Sequence, residues 1–158
     1  MRDRVKRIFA NVKAPVDTIL LMNSVEPLLD KALLYTTDVA SGMFEGCVAV
    51  GFPDGALTLF SSELEAESAR TAPELTVETF STRADQAEKI RRALSGSSRV
   101  GLNFHDLTHE NFLHLKKELP DVEFWDVSDA VRRARAVKDA REVERLRQAG
   151  KIVSRVAE

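Results

Sequence analysis

Three histidines with acidic neighbours are the residues of this chain that most resemble a metal site. His105, His109 and His114 lie close together, with Asp106 and Glu110 among them, and imidazole and carboxylate groups are common zinc ligands. The spacing argues against such a site. His109 and His114 are five residues apart and point to different faces of a helix, whereas a helical metal pair needs a spacing of three or four residues. We therefore expect no metal ligand in this chain.

Other catalytic patterns are also missing from the sequence. No serine lies in a G-x-S-x-G pattern, and no glycine-rich phosphate-binding pattern occurs. The single cysteine, Cys47, lies in an apolar run with Val48, Ala49 and Val50, which indicates a small buried side chain rather than a nucleophile. The residues themselves therefore predict no catalytic residue.

A basic run near the C-terminus could indicate nucleic-acid binding. Acidic residues interrupt it, giving Glu-to-Arg pairs three residues apart, and no aromatic side chain lies among the charges to stack on bases. We therefore expect a solvated helix and no nucleic-acid partner. The basic residues are Arg132, Arg133, Arg135, Lys138, Arg141, Arg145 and Arg147.

The composition is typical of a soluble domain with a substantial core. The chain has 158 residues, of which 44% are hydrophobic, as expected for one folded domain with at most a short appendage. A net charge of -2 gives no basic field that would attract acidic membranes or nucleic acid. One cysteine fits a reducing compartment, and no secretion signal or membrane span follows Met1. We expect a cytoplasmic protein with no membrane partner.

The spacing of apolar residues predicts strands that alternate with helices. A helix is predicted over 5–12 and a hairpin over 47–60, with its turn at Pro53-Asp54-Gly55. This order predicts an α/β fold with a mixed, partly parallel β-sheet and helices on both faces. The further strands are predicted at 17–22, 75–80, 99–104 and 122–127, and the further helices near 27–34, after 62, over 87–94 and over 112–119.

The C-terminal segment is predicted to form a long amphipathic helix. Asp139 and Glu142 have the spacing of a capping box. No glycine or proline ends the helix before the chain stops, so we expect it to lead into a further domain. The alternative is a native C-terminal helix with an irregular end. The apolar stripe of this helix comprises Val143, Leu146, Ala149, Val153 and Val156.

The same segment carries a motif. The stretches 135–139 (RAVKD), 142–144 (EVE) and 146–149 (LRQA) resemble the junction motif of the Xaa-Pro peptidase family, which includes prolidase, aminopeptidase P and creatinase. Tyr35-Thr36-Thr37 is similar to the first three residues of the family's Tyr-Leu-Thr-Gly motif. Further similarities follow the order of the family's N-terminal domain and extend over nearly the whole chain, at 17–23, 54–59, 100–102, 119–120 and 128–129.

This resemblance implies a domain organisation. Residues 1–134 would form the creatinase/prolidase N-terminal domain, which is ribonuclease H-like, and 135–158 a junction helix leading into a catalytic domain absent from this chain. In that family the catalytic domain has the pita-bread fold and binds two divalent metal ions, such as Mn, Co or Zn. The reaction implied is metal-dependent hydrolysis of the peptide bond before or at proline in short peptides. None of the metal ligands is carried over, and we expect this chain itself not to be catalytic.

The resemblance also implies roles for two surfaces. In this family the N-terminal domain mediates dimerisation and limits access to the active site, so we expect a homodimer. Asp38 departs from the family motif, which has glycine there. The residues expected at an active-site mouth or dimer loop are Tyr35, Thr37, Asp38 and Phe44. The residues expected to pack against the chain's own catalytic domain are Leu146, Ala149, Val153 and Val156.

Two alternatives remain open at the level of sequence. The same fold occurs in peptidase-like proteins that have lost catalysis and act as protein-interaction modules, alone or attached to another domain. A creatinase-type enzyme would instead hydrolyse a small amidine substrate. Substrate specificity and metal identity would be determined outside residues 1–158, so the sequence does not separate these alternatives from a peptidase.

Overall fold

A computed structural model describes residues 2–39, 41–72 and 74–157 of the chain. Within these residues the chain forms six strands and seven helices. The strands are β1 (Thr18–Met22), β2 (Val48–Gly51), β3 (Leu57–Ser62), β4 (Thr76–Phe80), β5 (Arg99–Leu102) and β6 (Glu123–Asp126). The helices are α1 (Arg2–Phe9), α2 (Lys31–Thr37), α3 (Glu63–Arg70), α4 (Arg83–Ala93), α5 (His109–Glu118), α6 (Ser128–Ala136) and α7 (Ala140–Ala157).

The strands form one mixed sheet in the order β4-β3-β2-β1-β5-β6. β2 is antiparallel to both of its neighbours, β1 and β3, whereas the pairs β1–β5, β3–β4 and β5–β6 are parallel. A parallel pair needs a crossover connection, and α3 and α5 provide the connections from β3 to β4 and from β5 to β6. The predicted α/β class with a partly parallel sheet is therefore confirmed.

The predicted hairpin is also confirmed. β2 and β3 pair in antiparallel register, and the turn between them closes through a hydrogen bond from Phe52 N–H to the carbonyl oxygen of Ala56 (2.9 Å). Asp54 accepts the backbone N–H of Ala56 through its side chain (2.9 Å). Gly55 has a φ of +89°, a conformation that glycine adopts without strain. The turn residues thus fix the register of the two strands.

Helices cover both faces of the sheet. α1, α2 and α6 pack on one face against Ile19 and Leu21 of β1, and α4 and α5 pack on the other face against Leu20 and Met22. All residues of β1 are buried, because a central strand between two helix layers has no side facing water. The core therefore consists of two apolar layers that share β1.

α6 was not predicted from the sequence; it precedes the predicted C-terminal helix and contains residues 135 and 136 of the expected junction helix. α6 ends at Ala136, and α7 begins at Ala140. The break lies at Val137, whose backbone is extended (ψ 116°). α6 packs against α1. Its buried residues are few, namely Ala130, Val131 and Ala134, and they lie within the basic run, so the spacing of apolar residues did not indicate a helix there.

The predicted capping box at the start of α7 is confirmed. Asp139 Oδ1 accepts the backbone N–H of Glu142, and Glu142 Oε2 accepts the backbone N–H of Asp139, both at 2.9 Å. These two bonds satisfy N–H groups that have no partner inside the helix. α7 is therefore a separately initiated helix and not an extension of α6.

The close packing of β5 gives a first testable prediction. A Cβ added at Gly101 would lie 2.7 Å from a methyl group of Val127 and 3.3 Å from Ile19. We expect Gly101→Ala to lower the free energy of unfolding by about 1–3 kcal/mol, because overpacking forces neighbouring side chains away from their preferred positions. Urea denaturation followed by circular dichroism measures this change.

Gly150→Ala is the matched control. A Cβ at Gly150, in the interior of α7, meets no atom within 4 Å, and alanine favours a helix over glycine by about 1 kcal/mol. The control should leave unfolding of the sheet unchanged or make the chain slightly more stable. If Gly101→Ala unfolds at the same urea concentration as the original chain, the packing argument is wrong.

Candidate functional site

Two buried asparagines lie at the carboxyl ends of the central parallel strands. Asn23 follows β1 and Asn103 follows β5, and both are almost completely buried. From β1 the chain continues to β2 on one side, and from β5 it continues to β6 on the other side. Connections that diverge in this way leave a crevice beyond the carboxyl ends of the strands, where ligands commonly bind in open α/β sheets. A functional site is therefore expected here.

Asp30 connects the two asparagines. Its Oδ1 accepts hydrogen bonds from Asn103 Nδ2 (3.0 Å) and from the backbone N–H of Ala32 (2.7 Å). Its own backbone N–H donates to Asn23 Oδ1 (2.9 Å). The bond to Ala32 makes Asp30 the N-cap of α2. One carboxylate therefore orders a helix start and joins the ends of two strands.

Burial raises the pKa of Asp30 from 3.8 to about 6. The hydrogen bonds from Ala32 and Asn103 favour the ionised form and oppose this rise, while the charge of Asp106 adds to it and the charge of Arg135 reduces it. The hydrogen bonds thus compensate only part of the desolvation. Asp30 is the described carboxyl group whose pKa departs furthest upward from its ordinary value.

The loop between α2 and β2, here called the 38–46 loop, is held by the same network; its residue Ala40 lies outside the described residues. Asn23 Nδ2 donates to the carbonyl oxygens of Met43 (3.2 Å) and Phe44 (3.1 Å). Glu65 Oε1 accepts the backbone N–H groups of the same two residues (3.3 and 3.2 Å). The second half of the loop is therefore fixed from both the sheet and α3.

Phe44 anchors the 38–46 loop from inside. Its side chain is completely buried, although its φ is +54°, a value that non-glycine residues rarely adopt. Gln86 of α4 holds the end of the loop by donating to the carbonyl oxygen of Gly46 (2.7 Å). Ser41, Gly42 and Met43 are exposed, and Met43 has 56% of its surface accessible. The loop thus has a fixed base and an exposed tip, residues 41–43.

The structure separates the residues predicted for this loop. Tyr35 and Thr37 belong to α2 and are buried, with Tyr35 Oη donating to the carbonyl oxygen of Ala134 (3.0 Å). Phe44 is a core residue, as described above. The accessible part of the loop is instead its tip, which lies between Asp38 and Phe44. The role of the loop at an active-site mouth or a dimer contact stays a prediction.

Asp38 is the predicted loop residue that has charged partners. Its Oδ1 lies 3.0 Å from Arg4 Nη1 and 2.7 Å from Arg145 Nη1. Burial raises the pKa of Asp38, but the hydrogen bond from Arg145 and the charge of Arg4 outweigh that effect, so the pKa lies below its usual value. Arg4 also lies 3.6 Å from Glu142 of α7. This cluster joins α1, the end of α2 and α7.

An open groove of about 830 Å³ runs beside this cluster, between α2, α6, α7 and the residues after β5. Both basic and acidic side chains line it, so its charge has no single sign. The backbone N–H of His105 donates to Ser128 Oγ (3.0 Å), and Ser128 Oγ donates to Asp126. The groove therefore combines charged groups of both signs with apolar side chains such as Leu34 and Val131. Its lining includes Tyr35, Asp38, Asn103, Arg132, Arg135 and Arg145.

The three histidines lie apart in the fold. His105 is in the turn after β5 and lines the groove, His109 begins α5, and His114 faces a small gap between α4 and α5. Among the described residues, no group of three or more His, Cys, Asp or Glu side chains is arranged to hold a metal ion. The residues present therefore do not fit the two-metal centre that the resemblance implies for a catalytic domain.

The apolar stripe of α7 faces solvent. Leu146, Val153 and Val156 have 59%, 68% and 83% of their surface accessible, and Ala149 is exposed as well. Ile152, which lies beside the stripe, is also exposed. Among the described helices, none combines the length and the apolar character that a membrane span requires. The stripe is the apolar face of an amphipathic helix, and no described residue covers it.

Comparison with known proteins identifies the family. Residues 3–137 match the model of the creatinase/prolidase N-terminal domain. No curated protein sequence matches the chain significantly.

Solved structures share the fold. An X-Pro aminopeptidase from Thermotoga maritima MSB8 superposes with a TM-score of 0.77 and 18% identity, over 89% of this chain and 39% of the other. A prolidase from Pyrococcus horikoshii OT3 gives a TM-score of 0.75 and 23% identity, over 98% and 41%. The N-terminal domain of the cytoplasmic peptidase PepQ from Mycobacterium tuberculosis H37Rv gives 0.63 and 21%, over 85% and 97%. The chain thus spans about two fifths of the first two proteins.

The raised pKa of Asp30 gives a second prediction. Because the folded state favours protonated Asp30, the stability that this group contributes is present below pH 3.8 and is lost as the pH rises through about 6. An asparagine at this position would not titrate and would keep an N-cap acceptor. We expect the free energy of unfolding of Asp30→Asn, relative to the original chain, to rise by about 2 kcal/mol between about pH 4 and pH 7. Urea denaturation over this pH range measures the difference.

Asp85→Asn is a control with the opposite sign. Hydrogen bonds from Lys89 and from the backbone of Ser81 lower the pKa of Asp85, so this carboxylate stabilises the fold when it is ionised. Its removal should cause a relative loss of stability as the pH rises. A constant difference between Asp30→Asn and the original chain would contradict the raised pKa of Asp30.

Proposed function

Because this chain belongs to the creatinase/prolidase N-terminal domain family, we propose that it is the non-catalytic N-terminal lobe of an Xaa-Pro dipeptidase or aminopeptidase. The observation that carries this proposal is the family match over residues 3–137. The span of about two fifths of two matched peptidases supports a division in which this lobe accompanies a larger domain. A cytoplasmic location is proposed on the same basis, since one structural neighbour is named a cytoplasmic peptidase.

The proposed reaction takes place outside this lobe. A catalytic domain joined to α7 would hydrolyse the peptide bond before or at proline in short peptides, with two divalent metal ions such as Mn, Co or Zn supplying the activated water. The described residues of this chain do not offer a ligand set for these ions. The contribution of the lobe is therefore binding and placement rather than chemistry.

Two surfaces are available for that contribution. The exposed stripe Leu146, Ala149, Val153 and Val156 is suited to pack against the catalytic domain, because contiguous apolar surface on a helix is stabilised when water is removed from it. The tip of the 38–46 loop projects from a fixed base, which is what a segment limiting access to a neighbouring active site requires. We propose that this tip acts at the active-site mouth, within the same subunit or across a homodimer.

The first experiment is the intact mass of the protein isolated from its source cells, together with its activity on an Xaa-Pro dipeptide in the presence of Mn²⁺. The proposal predicts a mass well above the 17.6 kDa of this chain, and hydrolysis that a chelator abolishes. The isolated 158-residue chain is the control and should show no hydrolysis. A native mass of 17.6 kDa without activity would overturn the enzyme proposal and favour a stand-alone interaction module.

The exposed stripe gives a further prediction. Without a catalytic domain, the chain should self-associate through α7 as its concentration rises, because the stripe can then be covered only by another copy. The double variant Leu146→Ser with Val153→Ser should remain monomeric over the same concentrations. Sedimentation velocity across a concentration series measures the difference.

The control for this experiment removes two charges from the same helix. Arg147→Ser with Lys151→Ser alters exposed residues of α7 but leaves the apolar stripe intact, so this variant should associate like the original chain. If all three proteins sediment as monomers at every concentration, the stripe does not drive association.

A further inference from the structure

α7 is attached to the lobe mainly through charged groups. From residue 140 to 156, only Glu142 and Val143 are partly buried, and the other side chains are exposed. A helix with so little buried apolar surface gains little fixed orientation from packing. The direction of α7 therefore depends on the few polar contacts that its first turns make with the lobe.

Asp38 provides the shortest of these contacts. Arg145 Nη1 lies 2.7 Å from Asp38 Oδ1, while the contact between Arg4 and Glu142 is longer, at 3.6 Å. Asp38 is the C-cap of α2, where it has a left-handed backbone (φ 54°, ψ 24°) and donates its N–H to the carbonyl oxygen of Leu34 (3.1 Å). The position of Asp38 is therefore fixed by α2, independently of α7.

Arg4 makes this anchor rigid. It donates to Asp38 Oδ1 (3.0 Å) and to the carbonyl oxygen of Tyr35 (2.8 Å), and its guanidinium lies 5.0 Å from the centre of the Tyr35 ring. The side chain of Asp38 is 15% exposed, whereas that of Arg145 is 61% exposed. A fixed, partly desolvated carboxylate therefore accepts a hydrogen bond from a solvent-exposed guanidinium of α7, and this contact ties α7 to the lobe.

We propose that Asp38 is a positioning residue that fixes the direction in which α7 leaves the lobe, and so places whatever α7 carries relative to the tip of the 38–46 loop. The same residue begins that loop, so one carboxylate serves as the common reference for the helix and for the loop. The consequence for the active site rests on the proposed function, in which α7 leads to the catalytic domain. The direction of α7 itself does not rest on it.

The test measures that direction in the 158-residue chain. Nitroxide labels are placed on Glu88→Cys in α4 and Lys151→Cys in α7, both exposed positions. Double electron–electron resonance then measures the distance between α4 and α7. Cys47 is fully buried, and burial raises the pKa of its thiol, so it does not compete for the label. All proteins in this test also carry Leu146→Ser with Val153→Ser, which should keep them monomeric. In this background the protein with Asp38 and Arg145 intact, called the original chain in this test, should give one narrow distance distribution.

Substitution of either Asp38 or Arg145 should broaden the distance distribution. Asp38→Asn keeps a residue that tolerates the left-handed conformation but removes the charge, and Arg145→Gln leaves the bond between Arg4 and Asp38 in place. Each variant should broaden the distribution, and the double variant should be no broader than the single ones, since both remove the same interaction. Arg147→Gln is the matched control and should keep the narrow distribution, because Arg147 lies on the same helix and its ion-pair partner among the described residues is Glu144 of that helix.

Ionic strength distinguishes a tether from a general loss of structure. Raising the salt concentration from about 0.1 M to about 1 M shortens the screening length from about 10 Å to about 3 Å. The distribution of the original chain should therefore broaden more than that of Asp38→Asn, in which only the longer contact between Arg4 and Glu142 is left to screen. Circular dichroism checks that each variant is folded. A narrow distribution in folded Arg145→Gln would overturn the proposal, whatever the native mass shows about the enzyme.

Discussion

The hydrogen bonds that run from Asn103 through Asp30 to Asn23 determine how the candidate site is built. These side chains lie where the two central parallel strands end and water is excluded, and a buried polar group without a partner costs about 1–3 kcal/mol. The network avoids this cost, yet it does so with a carboxyl group whose desolvation raises its pKa. One oxygen of this carboxyl group serves two donors, the side chain of Asn103 and the backbone at the start of α2.

The same network determines which part of the 38–46 loop is accessible. Asn23 accepts a hydrogen bond from the backbone N–H of Asp30 with its side-chain oxygen and donates to the carbonyl oxygens of Met43 and Phe44 with its side-chain nitrogen. The end of β1 therefore holds the 38–46 loop directly. The left-handed backbone of Phe44 costs on the order of 1 kcal/mol, which the burial of a phenyl ring, worth about 1.5–3 kcal/mol, offsets. A strained but buried aromatic residue thus fixes the base of the loop and leaves residues 41–43 facing solvent.

Much of the fold was predictable because its signals are local. The turn at 53–55 and the capping box at Asp139 each depend on residues within four positions of one another, and such patterns act almost independently of the rest of the chain. The site was not predictable in this way. Asn103 and Asp30 are 73 positions apart, and they meet only because β1 pairs with β5. Phe44 was expected at the surface for a related reason, since neighbouring glycines indicate a turn but not the direction of the side chain between them.

α7 separates two requirements that a domain junction has to meet. Apolar contact supplies affinity but has little directional preference, whereas an ion pair between fixed groups depends strongly on geometry and contributes modestly to stability. In this chain the apolar stripe lies along the exposed part of α7, and the ionic contacts lie at its first turns, beside Asp38. A partner bound to the stripe would therefore be held by burial and oriented by charge. This explains why Asp38 occupies a left-handed position. Glycine would adopt the same backbone more easily, but it would offer Arg145 no side-chain carboxylate.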